Sequence, residues 1–376
     1  MTLAERVRLG ILDASQALRL LAGGHRRHAR NYMIAAPALR RGWTGSTFSV
    51  LPLSTGLPRC IEVEPTTSCT LKCLKCEHTH WHVPQRNMTH EEFLHIARQF
   101  PRLCGVSFAG SGNSLEQPEF IQMLEYCHER DLYTQFRAPL LFLTRKRAER
   151  IVQVGVDRIV MTIDAATRAT YDALQPGSEF KRVIANASYL VECRCKAGAP
   201  VPELTFVFTV MGQNLGEMPQ FLELVNDITI ADTRSVRRVA FIPLLAFEQT
   251  QELAVTVPKS LIRETREKAR RLGRFAVTFG GLGGRHRAAS CRFWAVPFIT
   301  VEGNYYPCRM MCGRNRRRQA DKHVFGNLFQ DDFREIWNSK EAAAFRFGLR
   351  RATPPELCRV VQCPRCAAAG DRAGDP

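Results

Sequence analysis

The sequence predicts an α/β protein in which a partial, TIM-like (β/α)6 barrel is followed by a small cysteine-rich domain. Short apolar runs alternate with helical patterns from Arg59 to about Phe279, glycines at 280–284 end that alternation, and six of the 14 cysteines follow them. Alternating strands and helices indicate a parallel sheet with right-handed crossovers. Six pairs are too few for the closed eight-stranded barrel. We therefore expect a helical extension over 1–55, a barrel over 56–284 and a cysteine-rich domain over 285–376.

The N-terminal extension is expected to be helical and amphipathic over residues 1–45. Its apolar residues recur at spacings of three and four, which places them on one helix face: Leu3, Val7, Ile11, Ala14, Leu18 and Leu21. Gly23-Gly24 ends this pattern, and a basic stretch follows from His25 to Arg30. We expect this face to cover the core of its own chain, with peripheral contact to a membrane surface or a partner as the alternative.

Six apolar runs in the barrel region predict its strands: Cys60–Val63, Gly105–Ala109, Tyr133–Phe136, Arg158–Ile163, Leu204–Val210 and Arg238–Ile242. Helix starts lie between them. Thr89 and Glu92 form a capping-box pattern, Pro118 and Pro258 each open a helical segment, and Thr144 precedes another. Ligands of such a barrel are expected at the carboxyl ends of the strands.

The C-terminal region has a different pattern. Val296–Val301 and Tyr305–Pro307 flank Glu302-Gly303-Asn304, which predicts a β-hairpin. Ile336-Trp337 and Ala342–Phe347 are expected to be helical.

Composition excludes several classes of protein. The chain is 45% hydrophobic and 24% charged, which is typical of a globular protein with a sizeable core rather than a disordered chain, a collagen or a coiled coil. We find no apolar run of the ~18 residues that a membrane span requires. Charged residues interrupt the first 22 positions, so a signal peptide is not indicated. We therefore expect a cytoplasmic protein whose cysteines are not disulfide-bonded.

The net charge is +17, and part of it is concentrated between Arg285 and Arg318, where eight arginines face one acid. A solvated surface explains such a run, and an anionic partner such as RNA is the alternative. Aromatic residues do not interleave with the basic run, so nucleic acid is not the favoured partner.

Three cysteines follow the first predicted strand within eight residues: Cys69, Cys73 and Cys76. Three thiolates on one loop can converge on a polynuclear centre, and they are one short of the four that close a 4Fe–4S cluster. One iron would then be open to a ligand. The alternative is a zinc site completed by His78, His80 or His82.

This C-x3-C-x2-C motif resembles that of the radical S-adenosylmethionine (radical SAM) superfamily. The glycine-rich turn after the second strand, the fourth-strand segment from Met161 and the fifth-strand segment from Phe206 are also similar to that family. The resemblance implies that a 4Fe–4S cluster on the three cysteines binds S-adenosylmethionine, with cofactor contacts from Gly110, Ser111, Gly112, Asn113, Asp164 and Asn214. Asn113 stands where the family usually has an acidic residue, and the nearby Glu116 is a candidate substitute.

The C-terminal cysteines resemble those of the SPASM domain or its shorter twitch version. Four thiolates from two separated segments would hold a second, auxiliary 4Fe–4S cluster, and the resemblance implies Cys291, Cys308, Cys363 and Cys366. A zinc ribbon is the alternative. Cys312 and Cys358 are surplus to one cluster, and we leave open whether they pack in the interior or donate a hydrogen atom to a substrate radical.

The implied function is that of a radical SAM enzyme of oxidoreductase type. Its substrate would be a small molecule, carbohydrate-like in the favoured version, or a peptide, and a flavodoxin- or ferredoxin-like protein would donate electrons. The residues before the first strand lack the alternating strand signals of a leader-binding domain, which lowers the peptide alternative. RNA modification and a non-catalytic iron–sulfur or zinc scaffold are the remaining alternatives.

Overall fold

The computed structural model describes residues 3–44, 56–80, 83–232, 237–280, 282, 291, 293, 295–318, 323–350, 355 and 358. Within these residues ten strands form one sheet: β1 (Cys60–Val63), β2 (Gly105–Phe108), β3 (Tyr133–Ala138), β4 (Arg158–Thr162), β5 (Glu203–Val210), β6 (Arg237–Pro243), β7 (Phe275–Phe279), β8 (Phe298–Ile299), β9 (Asn304–Tyr306) and β10 (Gly326–Asn327). Their order across the sheet is β10-β9-β8-β1-β2-β3-β4-β5-β6-β7.

Strands β1 to β7 are parallel and follow one another in chain order, as expected for a partial barrel. The six strands predicted from the sequence are confirmed, with ends that differ by at most two residues. The six expected strand–helix pairs are present, and β7 adds a seventh parallel strand beside β6 after the last of them. Its five residues Phe275–Phe279 follow a strongly basic helix directly after Gly273-Arg274, and they were not among the six runs predicted as strands.

Helices connect the strands and pack on one side of the sheet. In the barrel region they are α3 (Glu77–His80), α4 (His90–Arg98), α5 (Phe120–Glu129), α6 (Arg145–Val154), α7 (Arg168–Leu174), α8 (Phe180–Lys196), α9 (Met218–Ile228) and α10 (Lys259–Leu272). The capping box of α4 is confirmed, because Glu92 N donates to the Thr89 side chain and Thr89 N to the Glu92 carboxylate. Thr144 caps α6 in the same way, through Arg147 N.

The two faces of the parallel sheet differ in polarity. Phe108, Phe136 and Ile159 belong to the main apolar core, with residues of the surrounding helices. The neighbouring register row across β1 to β5 lies on the opposite, inner face and is polar: Glu62, Ser107, Gln135, Arg158 and Glu203. Neighbouring side chains in this row contact one another. For example, Gln135 Nε2 donates to Ser107 Oγ at 3.0 Å.

The N-terminal extension forms α1 (Leu3–Ala22) and α2 (Arg26–Thr44), which are joined at Gly23-Gly24. The helical prediction is confirmed, but the predicted direction of the apolar face is wrong for the residues whose side chains are described. Ile11, Leu18 and Leu21 are 60%, 64% and 47% exposed, whereas Ala17 and Leu20 are buried. Specific polar contacts on the opposite side of α1 fix this orientation, since Asp13 pairs with Arg238 at 3.2 Å.

The C-terminal hairpin extends the sheet of the barrel. The predicted hairpin is confirmed as β8 and β9, and β8 pairs in parallel with β1. At its turn Gly303 has a φ of +82°, and a Cβ there would lie 2.6 Å from the Phe329 ring, so both the backbone and the space require glycine. The remaining helices are α11 (Arg309–Arg318), α12 (Phe333–Asn338) and α13 (Lys340–Arg350). The domain boundaries stay a prediction.

A search of the described helices finds none whose length and apolar character would let it cross a bilayer.

Candidate metal and cofactor site

The first cysteine motif lies on the loop that leaves the carboxyl end of β1 and leads into α3. Burial raises the pKa of Cys69 to about 12, and it also raises the pKa of Cys73 and of Cys76. The charges of Cys76 and Cys69 raise the pKa of Cys73 further, and the charge of Cys76 raises the pKa of Cys69. The three thiols therefore share one partly desolvated site, which disfavours free thiolates and favours thiolates bound to a cation or cluster.

The described histidines near the cysteine motif contact the backbone of the loop. Among the described residues, no group of three or more His, Cys, Asp or Glu side chains is arranged to hold one metal ion. His78 Nε2 donates to the Thr67 carbonyl at 2.8 Å, and His80 Nε2 to the Leu74 carbonyl at 2.7 Å. Both rings therefore brace the loop backbone, and the zinc alternative gains no support from them. His82 lies outside the described residues.

The glycine-rich turn after β2 packs against the beginning of the cysteine loop. A Cβ on Gly112 would lie 2.4 Å from the Thr66 carbonyl oxygen, and one on Gly110 would lie 2.2 Å from Glu64 Cγ. Ser111 N donates to Glu64 Oε1 at 2.7 Å. The turn needs these glycines because Gly112 approaches the backbone of the cysteine loop and Gly110 approaches the Glu64 side chain, and these contacts fix the loop from its amino side.

Asn113 and Glu116 lie side by side at the cysteine loop. Asn113 Nδ2 donates to Glu116 Oε1 at 3.3 Å, and Asn113 Oδ1 accepts from Leu115 N. Thr70 N, one residue after Cys69, lies 3.2 Å from both oxygens of Glu116 and donates to that carboxylate. The negative charge of Glu116 contributes to the raised pKa of Cys69. The acidic charge that Asn113 lacks is thus present three residues further on.

Asp164 and Asn214 form a buried network between the carboxyl ends of β4 and β5. The Asp164 carboxylate accepts from Thr209 N at 2.9 Å and from Gln175 Nε2 at 2.8 Å, and it forms an ion pair with Lys75. Asn214 Nδ2 donates to the Asp164 carbonyl at 2.7 Å. Both side chains are fully buried in contacts within the chain.

Lys75 was missed from the sequence. It stands between Cys73 and Cys76, and its Nζ also donates to Thr209 Oγ1 at 2.7 Å. The ion pair with Asp164 therefore ties the cysteine loop to β4 and β5. A lysine inside the cysteine motif was the available signal, but its spacing does not identify the aspartate that pairs with it.

The second set of cysteines lies in two apolar clusters. Cys308 and the buried Cys312 pack with Phe298, Tyr306 and Met311, while Cys291 packs beside Cys358, Phe345 and Leu349. Cys363 and Cys366 lie outside the described residues, so the expected set of four auxiliary ligands stays a prediction. Cys358, which we counted as surplus, is the described cysteine that shares a cluster with Cys291.

The C-terminal region also contacts the first cysteine motif. A Cβ on Gly313, the residue after Cys312, would lie 2.4 Å from a carboxylate oxygen of Glu77, the residue after Cys76. Helix α11 therefore packs directly on the end of the cysteine loop.

Comparison with known proteins agrees with this arrangement. A model of the radical SAM superfamily matches residues 63–225, and a model of SPASM, described as an iron–sulfur cluster-binding domain, matches residues 291–364. The chain is 24% identical to the AdoMet-dependent heme synthase of Methanosarcina barkeri over 85% of its own length and 93% of the relative. It is 22% identical to the tungsten-containing aldehyde ferredoxin oxidoreductase cofactor-modifying protein of Pyrococcus furiosus, over 76% and 82% of the two chains.

Two solved structures have a similar fold. Streptococcus suis SuiB bound to S-adenosylmethionine aligns with a TM-score of 0.61 at 17% identity, and the match covers 82% of this chain and 76% of SuiB. The anSMEcpe structure with bound AdoMet and Kp18Cys peptide aligns with a TM-score of 0.58 at 14% identity, over 84% and 91% of the two chains.

Proposed function

The chain belongs to the radical SAM superfamily and carries a C-terminal SPASM domain, and from this premise we propose that it abstracts a hydrogen atom from a small-molecule substrate. A radical SAM domain binds a 4Fe–4S cluster with S-adenosylmethionine, and a SPASM domain binds auxiliary iron–sulfur clusters. When bound and reduced by an external electron donor, the cluster would supply the electron that breaks a sulfonium C–S bond of S-adenosylmethionine, and the adenosyl fragment would take the hydrogen atom.

The observation that carries the proposal is the shared desolvated site of Cys69, Cys73 and Cys76. In the proposal these thiolates hold the cluster, since three ligands leave one iron open. The Lys75–Asp164 ion pair keeps their loop against β4 and β5. Glu116 would accept a hydrogen bond from the cofactor ammonium and supply its countercharge, because its carboxylate lies at Thr70 N beside Cys69.

The inner face of the barrel supports a substrate with hydrogen-bonding groups. A polar row crosses this face from β1 to β5, namely Glu62, Ser107, Gln135, Arg158 and Glu203, and an apolar patch of Val160, Val207 and Ala240 lies on β4 to β6. The face therefore offers both hydrogen-bonding groups and an apolar surface to a carbohydrate-like substrate. Because α1 and α2 cover the amino ends of the strands, the substrate would enter at the carboxyl end.

The names of the curated relatives also favour a small molecule. One is named for heme synthesis and the other for modifying a cofactor, and both are more similar in sequence than the peptide-bound structures, which share the fold. A peptide remains the second candidate substrate.

The test is reductive cleavage of S-adenosylmethionine by anaerobically reconstituted protein. We expect 5′-deoxyadenosine after reduction, and its loss when Cys69, Cys73 and Cys76 are all replaced by alanine. Cys195→Ala, at an exposed position on α8, is the matched control and should retain activity. Absence of 5′-deoxyadenosine above an unreduced sample would contradict the proposal and favour the scaffold alternative.

Stimulation of product formation by the low-molecular-weight fraction of a cell extract, and not by its peptides, would support a small-molecule substrate.

A further inference from the structure

Helix α1 exposes an apolar stripe. Ile11, Leu18 and Leu21 recur at helical spacing, are each about half or more exposed, and have the exposed Ala14 between them. They extend over about 15 Å along the helix. With Met33 of α2, which is 49% exposed, they are four of the seven large hydrophobic side chains found exposed among the described residues.

The fold holds this stripe outward. On the opposite side of α1, Asp13 pairs with the buried guanidinium of Arg238, Gln16 Nε2 donates to the Pro200 carbonyl at 3.5 Å, and Ala17 and Leu20 are buried. Turning the stripe inward would break the Asp13–Arg238 ion pair and expose the buried Ala17 and Leu20. Contiguous apolar surface of this kind gains free energy when something covers it.

The surroundings of the stripe are basic. Arg19 on α1 and Arg26, Arg27 and Arg30 on the first two turns of α2 are exposed. Residues 11–33 contain a single acid, Asp13, which is already paired. Arg27 lies 3.9 Å from the partly exposed carboxylate of Asp131, which is a weak pair.

We propose that α1 and the start of α2 lie on an anionic lipid surface, with the apolar stripe inserted among the acyl chains near the headgroups. A helix with an apolar face and flanking arginines binds such a surface by combining buried apolar area with attraction to anionic headgroups. A second copy of this chain would bring the same four arginines against each other, which opposes self-association through this face. The attachment is independent of the substrate proposed above.

This placement has a consequence for the active end of the barrel. Helix α2 packs at β1, β2 and β3 and α1 at β7, at the amino ends of the strands, whereas the cysteine loop leaves the carboxyl end of β1. The cofactor site would then face away from the lipid, and lipid binding would leave the cofactor site accessible.

The test is flotation of the full-length protein with vesicles of phosphatidylcholine alone or mixed with phosphatidylglycerol. We expect binding to the anionic vesicles, weakened by added salt. Leu18→Ser combined with Leu21→Ser should reduce the bound fraction by about 10-fold or more. Phe347→Ser removes an equally exposed ring from α13 and should bind like the wild type. All variants should cleave S-adenosylmethionine at the wild-type rate.

Three outcomes would overturn the proposal. The first is no flotation of the wild type with anionic vesicles. The second is unchanged flotation of the double serine variant, which would show that binding is electrostatic and does not use the stripe. The third is a wild-type dimer in light scattering that becomes monomeric in the double serine variant without any vesicle binding, which would identify a second copy as the occupant.

Discussion

Two fully buried aspartates bracket β4, and they differ in the cation that each one binds. At the amino end Asp157 accepts from Thr134 N at 2.7 Å and pairs with His28 of α2. At the carboxyl end Asp164 accepts from Thr209 N at 2.9 Å and pairs with Lys75 of the cysteine loop. Each carboxylate holds the backbone of a neighbouring strand and attaches one outside element to the barrel.

The difference lies in the chemistry of the two cations. Lysine stays charged throughout the physiological pH range, whereas histidine changes charge within it. The cysteine loop is therefore attached through a lysine, and the N-terminal helices are attached through a titratable histidine. We infer that the attachment of α1 and α2 depends on pH.

The largest expected effect comes from breaking the Lys75–Asp164 ion pair. Lys75→Met leaves Asp164 buried without its cation, which should lower the free energy of unfolding by about 3–5 kcal/mol. Chemical denaturation of the iron-free protein measures this loss without a contribution from the cluster. Reconstituted Lys75→Met should also retain less iron, because the cysteine loop loses its contact with β4 and β5.

Two variants serve as controls for that experiment. Lys268→Met removes a partly exposed pair with Glu223 on the surface, and it should cost less than about 1 kcal/mol. The double variant Lys75→Met, Asp164→Asn removes the uncompensated charge and should recover part of the stability. If Lys75→Met unfolds with the same free energy as Lys268→Met, the pair does not attach the loop.

A smaller effect is expected at Glu116, the acidic residue that contrasts with both aspartates. Within the described part of the chain Glu116 pairs with no cation, and its partners are Thr70 N and Asn113. We therefore expect Glu116→Gln to weaken S-adenosylmethionine binding about 10-fold or more, since a hydrogen bond to a charged group contributes about 1.5–3 kcal/mol. Equilibrium binding to the reconstituted protein measures the change.

The structure also predicts how substitutions of Asn113 change cofactor binding. Asn113→Glu would place a second carboxylate against Glu116, so it should weaken cofactor binding through like-charge repulsion rather than restore it. Asn113→Asp is the closer match in size and should act in the same direction. Tighter binding by Asn113→Glu, with unchanged binding by Glu116→Gln, would assign the ammonium contact to position 113.

The sequence predicted the features that are local in the chain. The cysteine motif, the capping box at Thr89 and the hairpin at Gly303 each lie within a few residues, and their side-chain types state the required geometry. Lys75 and Asp164 could not be paired in advance, because their contact depends on how the cysteine loop folds back over β4. Nothing in the residues around Asp157 distinguishes it from a solvated turn residue before a strand.

The N-terminal helix shows a second limit. Periodicity placed Ile11, Leu18 and Leu21 on one face, which is confirmed, but a period carries no information about which way that face points. The orientation depends on Asp13, whose partner Arg238 lies 225 residues away. Burial of a face is a tertiary property, so the expectation that this stripe covers the core was wrong.

The smallest expected effect is a change in how stability depends on pH at the amino end. Burial lowers the pKa of His28, but the hydrogen bond and charge of Asp157, with the charge of Asp131, outweigh it and raise the pKa above its ordinary value. The stabilisation from this pair is therefore full below the pKa of the unfolded chain and is lost as the pH rises through the higher pKa of the folded state. Urea unfolding of the wild type over about pH 5 to 8 should show this loss, and His28→Gln should remove it.

His25→Gln, at the exposed turn between α1 and α2, should keep the wild-type pH dependence. Parallel stability curves for the wild type and His28→Gln would mean that the pair is not titrated in this range, and the contrast between the two ends of β4 would then be one of position alone.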